Sequence, residues 1–393
     1  MPREIEEILA GTPAVILEYT DPDMHFRGWF VRDGCNHALC AGGMRVQPGL
    51  TRQHLARMAR NMSLKMRLAG LAVDGAKCGI DFDPGSPDKA AAMARFLRAI
   101  RPFIETSYSM GPDLHVDMAE LERIARSQGI LSVKMAIARA QGWDFPYYSE
   151  RAAILDQSVY GSTLGRLRAG YGVAAAALAV LDFLGIAPTR ATVVIQGFGA
   201  LARAAALGLS RAGVRIAAVA DVEKAMIARH RKGLDIESLS RSASSLLPTM
   251  VDDSAVVGAR EAILDIPCDI FIPAALEDAI TMRNVSRLQV RAVVPGANLG
   301  VAWQAADALT RRGVLVLPDF LAGCGGSLSM EGLFGPREHP APEMVLGHIT
   351  ARMAQLVEKV LARARDENVS PTVAALRCCR EMPDRPGARP YGA

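Results

Sequence analysis

The chain has 393 residues, with 45 Lys and Arg against 41 Asp and Glu and a formal net charge of +4. At about 100–200 residues per domain that length implies two or three domains. Hydrophobic residues at 50% and charged residues at 22% exclude a disordered polypeptide, and the small charge gives no footprint for nucleic acid or an anionic membrane.

From the N-terminus, MPREIEEILAG is charged and acidic, unlike the basic-then-apolar start of a secretory signal. QHLARMARNMSLKMRLAG at 53–70 has the period of an amphipathic helix and leads through a Gly-rich turn into a strand, IDFDP, at 80–84. The stretch 132–160 holds Trp143, Phe145, Pro146, Tyr147 and Tyr148 with weak periodicity, as a bend between domains does. The alanine-rich run at 171–187 is interrupted by Asp182 and falls short of the ~20 residues that span a bilayer, so it reads as a buried helix. TVVIQ at 192–196, an alanine-rich helix at 200–212 and VRIAAVAD at 214–221 then form a strand–helix–strand unit. Short apolar runs at 270–273, 292–294 and 314–317 continue it, and a parallel doubly wound α/β sheet is the economical fold. After Pro336 one helix is expected at about 343–365, followed by a frayed Pro/Gly/Arg tail. Seven scattered cysteines, only Cys378 and Cys379 adjacent, give neither a disulfide framework nor zinc-ligand spacing. A reducing cytoplasm and a metal-free chain are expected.

Gly197-Phe198-Gly199-Ala200-Leu201-Ala202 follows TVVIQ directly and has the GxGxxA form of a dinucleotide fingerprint. The first Gly permits a tight turn, the second admits a pyrophosphate to the backbone, and the free N–H groups of the following helix face the phosphates. Asp221 closes the next strand, 24 residues after Gly197, where a carboxylate can accept from both ribose hydroxyls and repel a 2′-phosphate. That favours NAD over NADP. Lys65 sits among Met62, Leu64, Met66 and Leu68, and Lys77 is flanked by Gly75 and Gly79 in what reads as a turn before a strand. A desolvated lysine beside another cation can trade protons near neutral pH. Asp113, in MGPDLHVD, is a carboxylate that could pair with them, or a turn or cap residue; His115 and Asp117 read as structural.

Eight ordered blocks tie these residues together: Gly42-Gly43-Met44-Arg45, Lys65, GAKCGIDFDP at 75–84, Gly111-Pro112-Asp113, IQGFG at 195–199, DIFIPAA at 269–275, GAN at 296–298 and PDFLAGCGG at 318–326. From about Gly42 to about Ala364 the chain resembles the glutamate/leucine/phenylalanine/valine dehydrogenases, NAD(P)-dependent enzymes that interconvert L-amino acids with 2-oxo acids and ammonia. The resemblance implies a substrate and catalytic α/β domain (1–160), a Rossmann-type NAD-binding domain (161–330), catalysis in the cleft between them and a C-terminal helical segment (331–393) returning to the first. It makes Lys65 the ligand of the substrate α-carboxylate, Lys77 the catalytic lysine and Asp113 the proton shuttle. Asn298 would contact the nicotinamide end of the cofactor and Ala274 would line the nucleotide site.

Glutamate-specific members of that family carry a lysine just before the paired glycines, where this chain has Ala41, and Met62 also lacks a polar head. A second carboxylate buried there lacks its partner, which costs several kcal/mol. The pocket resembles the leucine/phenylalanine branch, with Ser327 and Met330 in its far wall. Ala169 replaces a threonine that usually bonds the nicotinamide carboxamide, Leu114-His115-Val116 replaces a Val-Gly-Thr-like run, and Asp74 and Cys78 replace glycines around Lys77. The expectation is an NAD-dependent dehydrogenase of an apolar L-amino acid, assembled as a homo-oligomer. The alternative is a relative with lost or diverged deaminase chemistry, acting as a nucleotide-binding sensor or a specialised biosynthetic partner.

Overall fold

The computed structural model describes residues 11–241, 244, 246–249 and 253–392, so most of the acidic opening segment, 1–10, lies outside the described residues. The chain divides into two compact units. Among the described residues, the first holds those up to Ala153, Phe334–Arg337 and those from Cys379 on; the second holds those of Ile154–Leu333 and Glu338–Cys378.

Five strands build the first unit: β1 (Val15–Asp21), β2 (Phe26–Arg32), β3 (Leu39–Val46), β4 (Val73–Asp81) and β5 (Tyr108–Pro112), in the order β1-β2-β4-β3-β5. The β1–β2 and β2–β4 pairs are antiparallel, whereas β3 runs parallel to both β4 and β5. Strand alternation sends Phe30, Met44, Cys78 and Met110 to one face, where they pack on Phe96 of helix α2 (Lys89–Ala99) and Leu121 of helix α3 (Met118–Ser127). Trp29 and Val31 meet Leu55 and Ala59 of helix α1 (Arg52–Ala69) on the other face. Thr51 caps α1 by accepting from the His54 N–H at 3.2 Å, and Gly70 ends it at φ 71°.

The glycines around Lys77 belong to a strand, which corrects the turn expected there. A Cβ on Gly75 would stand 2.1 Å from Ser63 N and 2.2 Å from Ala59 O, and one on Gly79 would stand 2.6 Å from Arg45 O. Both positions are glycine because neighbouring backbone comes too close for a side chain. The stretch at 132–160 is likewise more ordered than a bend: helices Ala136–Gln141 and Phe145–Ala152 form within it, and the fully buried Arg151 guanidinium lies over the Trp143 and Tyr147 rings.

The second unit begins with the short pair β6 (Ser158–Val159) and β7 (Ser162–Thr163). Its sheet comprises β8 (Thr192–Gln196), β9 (Arg215–Ala220), β10 (Lys224–Ala228), β11 (Ala255–Ala259), β12 (Cys268–Pro273), β13 (Val290–Val293) and β14 (Leu315–Val316), in the order β11-β10-β9-β8-β12-β13-β14. Strands β9, β8, β12, β13 and β14 are parallel. One strand, β10, runs antiparallel to both its neighbours β9 and β11, a departure from the all-parallel expectation: Asp221 N–H donates to Lys224 O at 2.9 Å, and that tight turn sends β10 straight back along β9. Helix α4 (Leu164–Phe183) is long and apolar enough to cross a membrane by length and composition, but here it is a core helix of this unit. Gly170 and Gly208 bring it so close to helix α5 (Ala200–Arg211) that a Cβ on Gly170 would fall 2.3 Å from Leu201 O.

Beyond β14 come helix α6 (Gly325–Phe334) and helix α7 (Pro342–Asp366). The C-terminal segment expected to return as a whole divides instead. Helix α7 packs on α4 in the second unit, and only Phe334–Arg337 and the chain from Cys379 belong to the first. There Arg67 of α1 donates to Cys379 O at 3.0 Å.

Candidate active site

In β3, alternation puts Ala41, Gly43 and Arg45 on the face that β4 shares through Lys77. Lys77 is 3% exposed, and its Nζ stands 3.0 Å from Asp113 Oδ2. Arg45 Nε donates to the same oxygen at 2.7 Å, and Arg45 also reaches Gln47 Oε1 at 3.1 Å. Burial would raise the Asp113 carboxyl, but the charges of Lys77 and Arg45 outweigh it and hold the group at about 2, so Asp113 is an anion. Its backbone is fixed by an N–H bond to Met44 O at 3.0 Å. Gly43 makes the floor between them: a Cβ there would meet Asp113 Cβ and Pro112 O at 3.0 Å and Lys77 Nζ at 3.4 Å. Gly42 is closer still to its neighbour, since its Cβ would fall 1.7 Å from Ala76 O.

The structure therefore brings together Lys77, Asp113, Gly42 and Gly43. Lys65 is buried on α1, two residues past Ser63, whose hydroxyl accepts from the Gly75 N–H of β4 at 3.0 Å. Ala41 is buried opposite Gly75 and Ser109, and Met62 is half-buried on α1. Burial pushes the Cys78 thiol up to about 12 and the strand turns it to the opposite face, so it is no nucleophile at neutral pH. Asp74 is held by Arg32 at 2.7 Å and His37 at 2.9 Å, away from Lys77 in role. His115 has φ 61° and its ring nitrogen lies 3.0 Å from Val46 O, while Asp117 caps α3. Arg45 was missed as a site residue, although its place two residues past Gly43 on an alternating strand carried the signal. Lys134 is 6% exposed and its Nζ donates to Met110 O at 2.6 Å.

In the second unit, β8 has β9 on one side and β12 on the other, so its carboxyl end is the point where strand order reverses. Gly197 sits there at φ 97°, and its Cβ would stand 2.9 Å from both Ala275 Cα and Ala275 N. Among the described residues, nothing lies within 4 Å of a Cβ on Gly199, the residue before α5, and no side chain caps that helix. Gln196 Oε1, just before Gly197, is buried without a partner among the described residues. An orphaned acceptor, an uncapped helix start and a glycine cradle are the features a dinucleotide requires, and they fit one. Phe198 is buried under the Arg203 guanidinium, 4.9 Å from its centroid. Leu201, Ala274 and Gly296 close together, a Cβ on Gly296 meeting Leu201 Cδ2 at 2.9 Å and Ala274 Cβ at 3.0 Å. Ala200 opens α5, and Asn298 is half-buried after β13.

Asp221 is more occupied than its sequence position implied. Its Oδ1 accepts from the Glu223 and Lys224 N–H groups, both at 2.8 Å, and its Oδ2 from Leu247 N–H at 2.6 Å. A carboxylate has about four acceptor positions, so three backbone bonds leave room for one ribose hydroxyl rather than two. Ala169 is half-buried on α4 and presents only a methyl group. Ser327 and Met330 are both buried on α6, whose Gly326 O and Ser329 Oγ accept from Arg168 at 3.0 and 2.8 Å.

A lysine–aspartate centre on a glycine floor and a dinucleotide cradle are the parts of a nicotinamide-dependent amino acid dehydrogenase. The chain belongs to the glutamate/leucine/phenylalanine/valine dehydrogenase family: the family's dehydrogenase model matches residues 161–380 and its dimerisation-domain model matches residues 16–128. A glutamate dehydrogenase of Thermotoga maritima is 30% identical over 310 residues, covering 77% of this chain and 70% of the relative. The catabolic NAD-specific glutamate dehydrogenase of Bacillus subtilis is 28% identical over 289 residues (72% of this chain, 65% of the relative). An NADP-specific glutamate dehydrogenase of Halobacterium salinarum is 31% identical over 295 (72% and 66%). Among solved structures, the hetero-hexameric glutamate dehydrogenase of Thermus thermophilus in its Leu-bound form superposes with a TM-score of 0.77 at 27% identity, covering 100% of this chain and 93% of that one. These relatives are named glutamate dehydrogenases, so they lend no support to the leucine/phenylalanine branch that the pocket residues suggested.

Proposed function

We propose that this protein catalyses the NAD-dependent oxidative deamination of an apolar L-amino acid, aliphatic or aromatic, to its 2-oxo acid and ammonia, or the reverse. The observation that carries the reading is the Lys77–Asp113 pair on the Gly43 floor. Lys65 binds the substrate α-carboxylate. Asp113, kept ionised by its two cations, takes a proton from the substrate nitrogen. Bound nicotinamide supplies the hydride acceptor for Cα. Water then adds at Cα and loses one proton to solvent; the Lys77 ammonium stabilises the carbinolamine oxygen, and collapse to the carbonyl expels ammonia, which takes back the proton held by Asp113 and gains the second proton of the water oxygen to leave as ammonium. Overall, amino acid, NAD and water give 2-oxo acid, ammonium, reduced cofactor and one proton.

Gly197, Phe198, Gly199, Ala200, Leu201, Ala274 and Asn298 hold the nucleotide in this reading, and Asp221 takes a ribose hydroxyl. NAD follows from Asp221, because its charge repels the 2′-phosphate of NADP. Ala41 and Met62 support the apolar side chain, since neither can pair with a second carboxylate. We take the assembly as a homo-oligomer, in line with the matched dimerisation domain, and place it in the cytoplasm on its scattered free cysteines, which suit a reducing compartment. Purified protein given NAD and a panel of L-amino acids, with absorbance of the reduced cofactor followed, tests the reading. Reduction by leucine or phenylalanine but not glutamate is expected; nucleotide binding without turnover would support the sensor alternative.

A further inference from the structure

Two loops leave the carboxyl ends of β12 and β13, and each holds a residue with a side chain in the left-handed backbone region: Asp278 at φ 49° and Leu299 at φ 53°. Aspartate visits that region readily because its short side chain can bond locally, whereas leucine gains nothing there and stays only where its surroundings impose it. Both backbone groups of Leu299 are engaged. Its N–H donates to Asp319 Oδ2 at 2.8 Å, and its carbonyl accepts from the Asp278 N–H at 2.9 Å. Asp319, half-buried, opens the short helix Asp319–Ala322.

Leu299 follows Asn298 directly, and the start of the same loop is fixed as well. Gly296 and Ala297 both donate to Pro273 O, at 2.9 and 3.1 Å, and Gly296 lies against Leu201 and Ala274. The Leu299 N–H belongs to the peptide that joins it to Asn298, so the bond from Asp319 sets the plane of that peptide. With the peptide plane goes the direction of the Asn298 side chain.

Resting on the reading of Asn298 above, we propose that Asp319 is a positioning residue for the nicotinamide end of the cofactor. Its carboxylate holds the Asn298–Leu299 peptide and keeps Leu299 left-handed, so that Asn298 is oriented before the cofactor arrives. Without that bond Leu299 relaxes to a negative φ, the peptide turns, and Asn298 turns with it. Glycine supplies the check, because it takes a positive φ without steric cost.

The test measures dissociation constants of NADH and of ADP-ribose, which lacks the nicotinamide, for wild type, Asp319→Ala, Asp319→Asn, Asn298→Ala and the double variant Asp319→Ala/Leu299→Gly. The reduced ring is uncharged, so attraction of the Asp319 carboxylate for a cationic nicotinamide does not enter. Asp319→Ala should weaken NADH by at least about fivefold and leave ADP-ribose near wild type. Asp319→Asn, which keeps an oxygen acceptor, should stay close to wild type, and Leu299→Gly should restore most of what Asp319→Ala loses. Where Asp319→Ala is too unstable to purify, Asp319→Glu, which displaces the oxygen by one methylene, is read in the same way. Wild-type NADH binding by Asp319→Ala, equal losses for NADH and ADP-ribose, or a double variant as weak as Asp319→Ala overturns the proposal. Wild-type NADH binding by Asn298→Ala overturns the Asn298 contact and the proposal with it, whereas a weakened Asn298→Ala beside an unchanged Asp319→Ala overturns the proposal alone. Binding is read without turnover, so failure of the deaminase chemistry is seen separately, as an inactive wild type that still binds NADH.

Discussion

Asp113 Oδ2 lies 3.0 Å from Lys77 Nζ, and the same oxygen takes the Arg45 Nε–H at 2.7 Å. One acid is thus wedged between two buried cations, and its carboxyl is held at about 2, below the ordinary 3.8. A depressed carboxylate adds stability that is fully present above its unfolded value and is lost as pH falls through its folded value. Between about pH 4 and pH 2 wild-type protein should therefore lose stability that Asp113→Asn does not lose. Thermal midpoints across that range check this; parallel curves for the two proteins would contradict the pairing. At neutral pH Asp113→Asn should lower kcat without abolishing binding of the 2-oxo acid.

Lys65→Ala should raise KM strongly for every L-amino acid, with a smaller loss in kcat where the substrate is no longer held for hydride transfer. Steady-state kinetics on two substrates of different side chain provide the check. A change in kcat alone would place Lys65 outside carboxylate binding.

Asp221 should make NAD at least about tenfold better than NADP, which corresponds to about 1.4 kcal/mol. Asp221→Ser should narrow that gap. The same variant breaks three backbone bonds, those from Glu223, Lys224 and Leu247, so a loss of thermal stability should accompany it. Equal dissociation constants of wild type for the two cofactors would remove Asp221 from cofactor choice.

Gly42→Ala places a methyl group 1.7 Å from Ala76 O, a backbone atom that cannot move without parting β3 from β4. We expect destabilisation of at least about 1–3 kcal/mol, read by chemical unfolding, with activity falling in step because Lys77 is next along β4. Gly199→Ala meets nothing within 4 Å and should leave stability near wild type while weakening nucleotide binding.

Much of this architecture was legible because its signals are local. TVVIQ followed by GFGALA announces a strand, a turn and a helix, and β8 and α5 fall there. The helix at 53–70 announced itself through its period, and α1 spans Arg52–Ala69. What stayed hidden depends on distance along the chain. Gly75 and Gly79 look like turn glycines until α1 and Arg45 O are seen pressed against them. Asp221 looks available until the Leu247 N–H arrives from 26 residues on. Lys134 lies outside all the sequence blocks, and only the fold carries its ammonium to Gly111.

The most direct measurement is the turnover number of Lys77→Ala beside wild type, with NAD and whichever L-amino acid wild type oxidises fastest. If Lys77 acts on the reacting oxygen, kcat should fall by at least about 10²-fold while binding of the reduced cofactor stays near wild type. Near-wild-type turnover by Lys77→Ala, or no reduction of NAD by wild type with any L-amino acid, would contradict the account and leave the nucleotide cradle as the supported function.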